Sequence, residues 1–206
     1  MEPARIEELL RPYLGGTDLN ADQLAQISTH IDVLTKWNAK MNLTAVRDPE
    51  EMVRRHFGES LFAARNLLES ADRITAADVG SGAGFPGVPL KVYAPGVQMT
   101  LIEAHGKKAT FLREVIRGLK LTDINVFQDR ADRWERTADL VVLRAVEKFE
   151  EILPAAAALV SPGGRLGILI GQQQLPVAQK LLPGNWSDPL LIPNSGHRVL
   201  EIWQKA

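Results

Sequence analysis

Residues 77–90 read ADVGSGAGFPGVPL, an apolar run that reaches an aspartate and then places glycine at 80, 82 and 84. Glycine costs backbone entropy unless the chain must adopt positive φ or let another group approach closely. The alternation of Gly80, Gly82 and Gly84 therefore marks a strand end running into a tight, ligand-cradling loop. Gly82–Gly87 also satisfies the G-x-G-x-x-G dinucleotide pattern, and Glu103 lies where an acidic residue would meet a ribose, or would simply open a helix.

The loop alone fits either a dinucleotide or S-adenosylmethionine (SAM), because both present an adenosine ribose to a carboxylate. Three features favour SAM. Asp78 stands two positions before the first glycine, where it can order the loop around the amino-acid end of that cofactor. The chain holds a single set of βα units, with no second domain to carry a hydride acceptor. The terminal strand pair expected after five parallel strands also resembles the sheet ending of class I methyltransferases.

Outward from the loop, the pattern from Ile74 alternates short apolar strands (ITAADVG, VQMTLIEA, INVFQD, ADLVVLR, RLGILIG) with helices near GVPLKVYA, KKATFLREVIRGLK and FEEILPAAAALV. A polar segment, QQQLPVAQKLLPGN, precedes two expected terminal strands in PLLIPN and HRVLEIWQK, joined by an Asn-Ser-Gly turn. Residues 1–70 read as helical. Leu24, Ile27, Ile31, Leu34 and Trp37 form one apolar stripe behind an Asn20–Gln23 capping box. A second helix starts at Asp48 and Pro49, with Glu51 placed to complete a box, and turns Met52, Val53, His56, Phe57, Ser60, Leu61, Ala64 and Leu68 inward. The expected architecture is α/β: a class I SAM-dependent, Rossmann-like fold with a mostly parallel seven-stranded sheet. Residues 71–206 form the SAM-binding domain and residues 1–70 a helical extension.

The 206 residues carry 45% hydrophobic and 24% charged side chains, as an ordinary globular domain does. The absence of cysteine excludes disulfides, thiolate metal sites and cysteine nucleophiles. The N-terminus is too charged for a secretory signal and no apolar run reaches the ~20 residues that span a bilayer, so no membrane partner and a cytoplasmic location are expected. A net charge of −1 gives no global attraction to nucleic acid, so any RNA contact must be local. Two local candidates exist, the weaker being Arg54 and Arg55. In HGKKATFLREVIRGLK the stripe Phe111, Leu112, Val115, Ile116 and Leu119 leaves Arg113, Arg117 and Lys120 together on the opposite face, after Lys107 and Lys108.

NLTAVRDPEEMVRRHFGESL, DVGSGAGFPGVPLKVYAP, LIEAHGKKATFLREVIRGLKLTDINVFQDRAD and DLVVLRAV, in this order and spacing, resemble the ribosomal RNA small subunit methyltransferase G family, also called glucose-inhibited division protein B. The resemblance runs from about Trp37 to about Gly171. It implies SAM as methyl donor and N7 of one guanosine in 16S ribosomal RNA, free or in the small ribosomal subunit, as acceptor for a monomeric enzyme. Carried over by position, the cofactor contacts fall on Gly80, Phe85, the Ala131–Asp132 pair, Arg144 and Glu103, beside the loop residues Gly82 and Gly84. Two positions depart from the family pattern: Glu59 replaces an aspartate in HFGESL, and Ile170 replaces a lysine, which bears on the RNA target or the rate more than on the cofactor.

The chemistry agrees with that implication. Carbon-5 methylation of a pyrimidine ordinarily needs a cysteine, and the Asn/Asp-Pro-Pro-aromatic motif of exocyclic amine methylation is not present where this chain reads VLRAVEKF. Guanine N7 has a free lone pair at neutral pH and needs no general base, so catalysis would rest on proximity and orientation. Arg144 is the positioning candidate, suited to the cofactor or to guanine's acceptors, with a sheet-edge salt bridge as its plainer role. His56 reads as a hydrogen-bonded core histidine, Phe85 as part of the cofactor wall and Trp37 as core. Two other readings stand beside this one, a SAM methyltransferase for another RNA site or small molecule, and a SAM- or RNA-binding module without turnover.

Overall fold

A computed structural model describes residues 1–69, 72–146 and 148–206. Five parallel strands form the centre of the sheet: β1 (Thr75–Val79), β2 (Gln98–Ile102), β3 (Ile124–Phe127), β4 (Ala138–Arg144) and β5 (Val160–Gly171). The C-terminal part contributes β6 (Asn185–Trp186), β7 (Leu190–Leu191) and β8 (Arg198–Gln204), with β8 antiparallel to β5. The order is β3-β2-β1-β4-β5-β8-β6, with β7 also on β8. Strand order reverses between β1 and β4, and such a switch point opens a crevice beyond the strands' carboxyl ends.

The eighth strand is a subdivision of the expected last edge. β6 pairs with Gln204 and Trp203 and β7 with Leu200 and Val199, so two short pieces share the outer side of β8. Of PLLIPN only Leu190 and Leu191 pair, and Asn185–Trp186 was not foreseen as strand. The strand β5 also starts five residues before the expected Arg165, through a register shift between Ala138 and Leu140 on β4. The polar segment after β5 folds into a 3-10 turn and a short helix, Leu175–Leu181, whose Ala178 is buried.

Period-two alternation divides the strands between two cores. Ala76, Leu140, Val142 and Leu169 face one side, whereas Ala77, Val141, Leu143, Ile168 and Ile170 face the other. The first side is covered by α1 (Pro3–Leu14), α2 (Ala21–Met41), α3 (Pro49–Met52), α4 (Glu59–Leu67), α5 (Gly87–Tyr93) and α6 (Gly106–Gly118). The second is covered by α7 (Phe149–Ala158) and α8 (Leu175–Leu181). Helices from both sides of residue 70 thus contribute to one continuous core.

Local sequence explains the helices that position the site. The box at the start of α2 forms, with Asn20 Oδ1 accepting from the Gln23 amide and Gln23 Oε1 from the Asn20 amide. Its stripe Leu24, Ile27, Ile31 and Leu34 is buried and Trp37 is half-buried; each fully buried Leu or Ile contributes about 2 kcal/mol. Asp48 caps α3 through the Glu51 amide, without a reciprocal bond from Glu51. Between α3 and α4 the chain takes a π-helical turn, Val53–Gly58, that periodicity did not foresee. Such turns are rare and often sit at functional sites; this one carries His56.

Candidate active site

The crevice at the switch point is a cleft of about 710 Å³ at the carboxyl ends of the strands. On its β1 side, the Gly80 and Ser81 amides donate to Ile102 O at 2.9 and 3.1 Å, which folds the loop back over β2. Gly80, Gly82 and Gly84 have φ of +72°, +53° and +89°, a region that side chains disfavour. The three do different things. A Cβ on Gly82 would meet nothing closer than the Gly80 carbonyl at 3.8 Å, so that position faces open cleft. On Gly80 a Cβ would lie 2.9 Å from Val146 in the segment after β4. On Gly84 it would meet Val88 at 2.9 Å and His30 at 3.3 Å, and Gly84 does not line the cleft.

Asp78 orders the loop from below. It is fully buried, and its Oδ2 accepts the Gly87 amide at 3.0 Å at the start of α5. Burial raises its carboxyl to about 7, since desolvation disfavours the charged form. Glu103, beyond β2, accepts from the Gly82 amide at 2.9 Å and the His105 amide at 2.8 Å, one on each oxygen. A carboxylate has about four acceptor positions, so capacity remains for a diol. Ala131 and Asp132 line the same wall on the 3-10 turn Ala131–Arg133, and exposed Arg130 pairs with Asp132 at 3.1 Å.

The opposite wall is built from side chains. Arg144 lies at the end of β4, and its Nη2 donates to Arg55 O at 2.8 Å and to Glu59 Oε2 at 3.0 Å. Its Nη1 and Nη2 each contact His56 Nδ1 at 3.4 Å. Burial lowers the Arg144 pKa while Glu59 opposes that effect. Glu59 is itself buried and forms a second ion pair, through Oε1, with Arg198. His56 Nε2 lies 2.7 Å from Thr44 Oγ1, and the ring stacks on Phe85 at 4.9 Å. Phe85 also stacks on buried His30, whose Nε2 lies 3.0 Å from Ala83 O in the glycine loop.

Seven of the expected site residues, Gly80, Gly82, Phe85, Glu103, Ala131, Asp132 and Arg144, therefore share the cleft, while Gly84 supports the loop from inside. Ile170 is buried in the core beneath the sheet and pairs with Val199. The register positions on either side of it carry cations, Arg144 opposite Leu169 and Arg198 opposite Gly171. Sequence reasoning assigned no role to Thr44, Val146 or Lys148, which also line the cleft, and it read Lys108, another lining residue, only as part of the basic surface. Ala145 and Lys148 adopt left-handed φ of +47° and +57°; irregular, locally strained backbone of this kind clusters at functional sites. Among the described residues no group of three or more His, Asp or Glu could hold a metal ion, and no helix is long and apolar enough to cross a membrane.

The fold and the switch-point cleft define a class I SAM-dependent methyltransferase. The solved structures similar in fold include a ribosomal protein L11 methylase from Lactobacillus delbrueckii subsp. bulgaricus (TM-score 0.62, 18% identity, covering 74% of this chain and 80% of that one). They also include a SAM-dependent methyltransferase from Aquifex aeolicus (TM-score 0.61, 14% identity, 80% and 97% covered). The family model for rRNA small subunit methyltransferase G matches residues 23–181, and the Ribosomal RNA small subunit methyltransferase G of Chloroflexus aggregans is 38% identical, over 92% of this chain and 85% of its own. The chain belongs to the rRNA small subunit methyltransferase G family.

Proposed function

We propose that this chain transfers a methyl group from SAM to N7 of a guanosine in the 16S RNA of the small ribosomal subunit. The observation that carries the reading is the two-sided cleft: a glycine loop and Glu103 on one wall, and a hydrogen-bonded Thr44–His56–Arg144 set on the other, within one cavity. Bound in the first half, SAM would supply an electrophilic sulfonium methyl. Glu103 would accept from the ribose hydroxyls and Ala131 and Asp132 would border the base. Gly80 and Gly82 would leave room for the amino-acid end, and Phe85 would form the floor beside it. Gly84 contributes by holding the loop's shape.

The acceptor wall fits a reaction without proton abstraction. Burial, followed by the nearby Arg144 charge, lowers the His56 pKa to about 3, far from the near-neutral value that suits a general base. Arg144 is committed to Glu59, Arg55 and His56, so it acts by positioning. The exposed Arg113, Arg117 and Lys120 on α6 and its end would meet RNA phosphates. Residues 1–70 serve as a helical extension whose Leu43, Thr44 and His56 complete the cavity of the 71–206 unit, and we place this monomeric enzyme in the cytoplasm. The test is transfer of labelled methyl from SAM to free 16S rRNA, assembled small subunits and a metabolite extract. Label confined to rRNA, with chain scission at one guanosine after reduction and aniline, is expected. Label on small molecules, or on a base other than guanine, refutes the reading.

A further inference from the structure

Hydrogen-bond accounting around Thr44 identifies what the acceptor wall presents to a base. A guanidinium has donors and no acceptor, so the Arg144 contacts make His56 Nδ1 the accepting nitrogen. With its pKa lowered to about 3, the ring is neutral near pH 7 and carries its one proton on Nε2. That Nε2–H donates to Thr44 Oγ1 at 2.7 Å, and the Val46 amide donates to the same oxygen at 3.1 Å. Both lone pairs of the hydroxyl are then occupied, and only its proton is available to a third partner. The backbone of the residue is held in place from behind: buried Asn38 accepts from the Thr44 amide at 2.9 Å and donates to the Thr44 carbonyl at 3.1 Å. Thr44 lines the cleft. The wall therefore offers an oriented hydroxyl that can donate and cannot accept.

We infer that Thr44 selects guanine, donating its hydroxyl proton to O6 of the base whose N7 receives the methyl group; the inference rests on the guanine-N7 reading above. Guanine presents N7 and O6 as adjacent acceptors, whereas adenine places an amino donor beside N7. A hydroxyl without acceptor capacity pairs with the first and faces another donor in the second, leaving both groups unsatisfied. His56 and Arg144 are positioning residues in this scheme, since they act on the base by fixing which way the Thr44 proton points. The scheme also accounts for a half-buried neutral histidine beside an arginine at a site that needs no base.

The test starts with the parent protein and labelled SAM on 16S rRNA, with the label mapped by reduction and aniline cleavage. An rRNA assembled by ligation then carries 2-aminopurine at the mapped position, a base that keeps N7 and lacks O6. Single-turnover transfer to it is expected to be about ten- to a hundredfold slower than to guanosine, the range for loss of one buried hydrogen bond. Thr44→Val should slow transfer to guanosine by a similar factor and lose little more on 2-aminopurine, while Thr44→Ser retains the parent's discrimination. Equal rates on the two bases with the parent protein overturn the inference, even if no variant folds. So does a folded Thr44→Val that discriminates as the parent does. Label that gives no aniline scission overturns the guanine-N7 reading itself, a separate outcome.

Discussion

Along the glycine loop the cleft is lined by backbone, with Gly82 open to the cavity and its amide tied to Glu103, whereas the facing wall is lined by Thr44, His56 and Arg144. The first wall works by leaving space, and its polar groups retain acceptor capacity for a ligand. The second works by hydrogen bonding among its own groups, which fills both lone pairs of the Thr44 hydroxyl and leaves that group only its proton to offer. Substitutions on the two walls should therefore fail differently: by occupied volume on one, and by lost donor–acceptor order on the other.

The largest effect is expected at Gly82. Gly82→Val should weaken SAM and S-adenosylhomocysteine binding by about a hundredfold or more, because the side chain enters space facing the cleft. Gly84→Val should instead lower stability by about 2 kcal/mol or more, since its Cβ would meet Val88 and His30 and its φ of +89° disfavours a side chain. Calorimetry and denaturant melts on the two variants break the comparison if they lose affinity and stability to the same degree.

Next in size is the acceptor wall. Arg144→Ala removes the partner of buried Glu59 and the donor that fixes His56, and should reduce single-turnover transfer by about a hundredfold. His56→Gln keeps an amide that can donate to Thr44, and should stay within about tenfold of the parent. The reverse ranking would make His56 the chemical group. A smaller effect is expected on the outer surface: reversing Arg113, Arg117 and Lys120 should weaken rRNA binding about tenfold at moderate salt and flatten its log–log salt slope by about 2. SAM affinity should stay unchanged, and an unaltered slope would make this face ordinary solvated surface.

The smallest effect is on stability against pH. The folded-state values of His30 and His56 lie at about 4 and about 3, below the ordinary 6.5, so the unfolded chain binds more protons as pH falls from about 6.5. The stability these groups contribute is complete above that pH and lost on acidification toward their folded values. Asp78, raised to about 7, acts in the opposite sense and loses its contribution as pH rises from about 4 to about 7. Burial also raises the Glu201 carboxyl, which with Asp78 opposes the two histidines, so the urea midpoint should fall only shallowly between about pH 6.5 and about pH 4. The fall should be shallower in His56→Gln by at most one proton, about 1.4 kcal/mol per pH unit. An unchanged profile would mean that His56 titrates normally.

What the sequence made legible was carried by contiguous residues. The strand–glycine loop–helix unit, the Asn20 box and the exposed basic face of α6 each depend on spacings of a few residues, which periodicity and capping chemistry determine. The acceptor wall depends on separations of 88 residues between Arg144 and His56, and 85 between Arg144 and Glu59. No local pattern records that Glu59 joins two arginines, or that a π-turn places His56 against Thr44. Gly82 and Gly84 are equivalent in the motif and differ only once α2 and α6 put His30 and Leu112 behind the second. The split outer edge on β8 and the helix α8 were likewise set by what they cover rather than by their own apolar pattern.

The central claim is that the cleft catalyses by placement, with no titrating base. Its most direct test is the single-turnover rate of methyl transfer from bound SAM to rRNA, followed from about pH 6 to about pH 9 where the protein stays folded. The account predicts a rate that is nearly flat over that range in the parent and in His56→Gln. A rate that climbs tenfold per pH unit through a histidine-like midpoint, and disappears in His56→Gln, would contradict it.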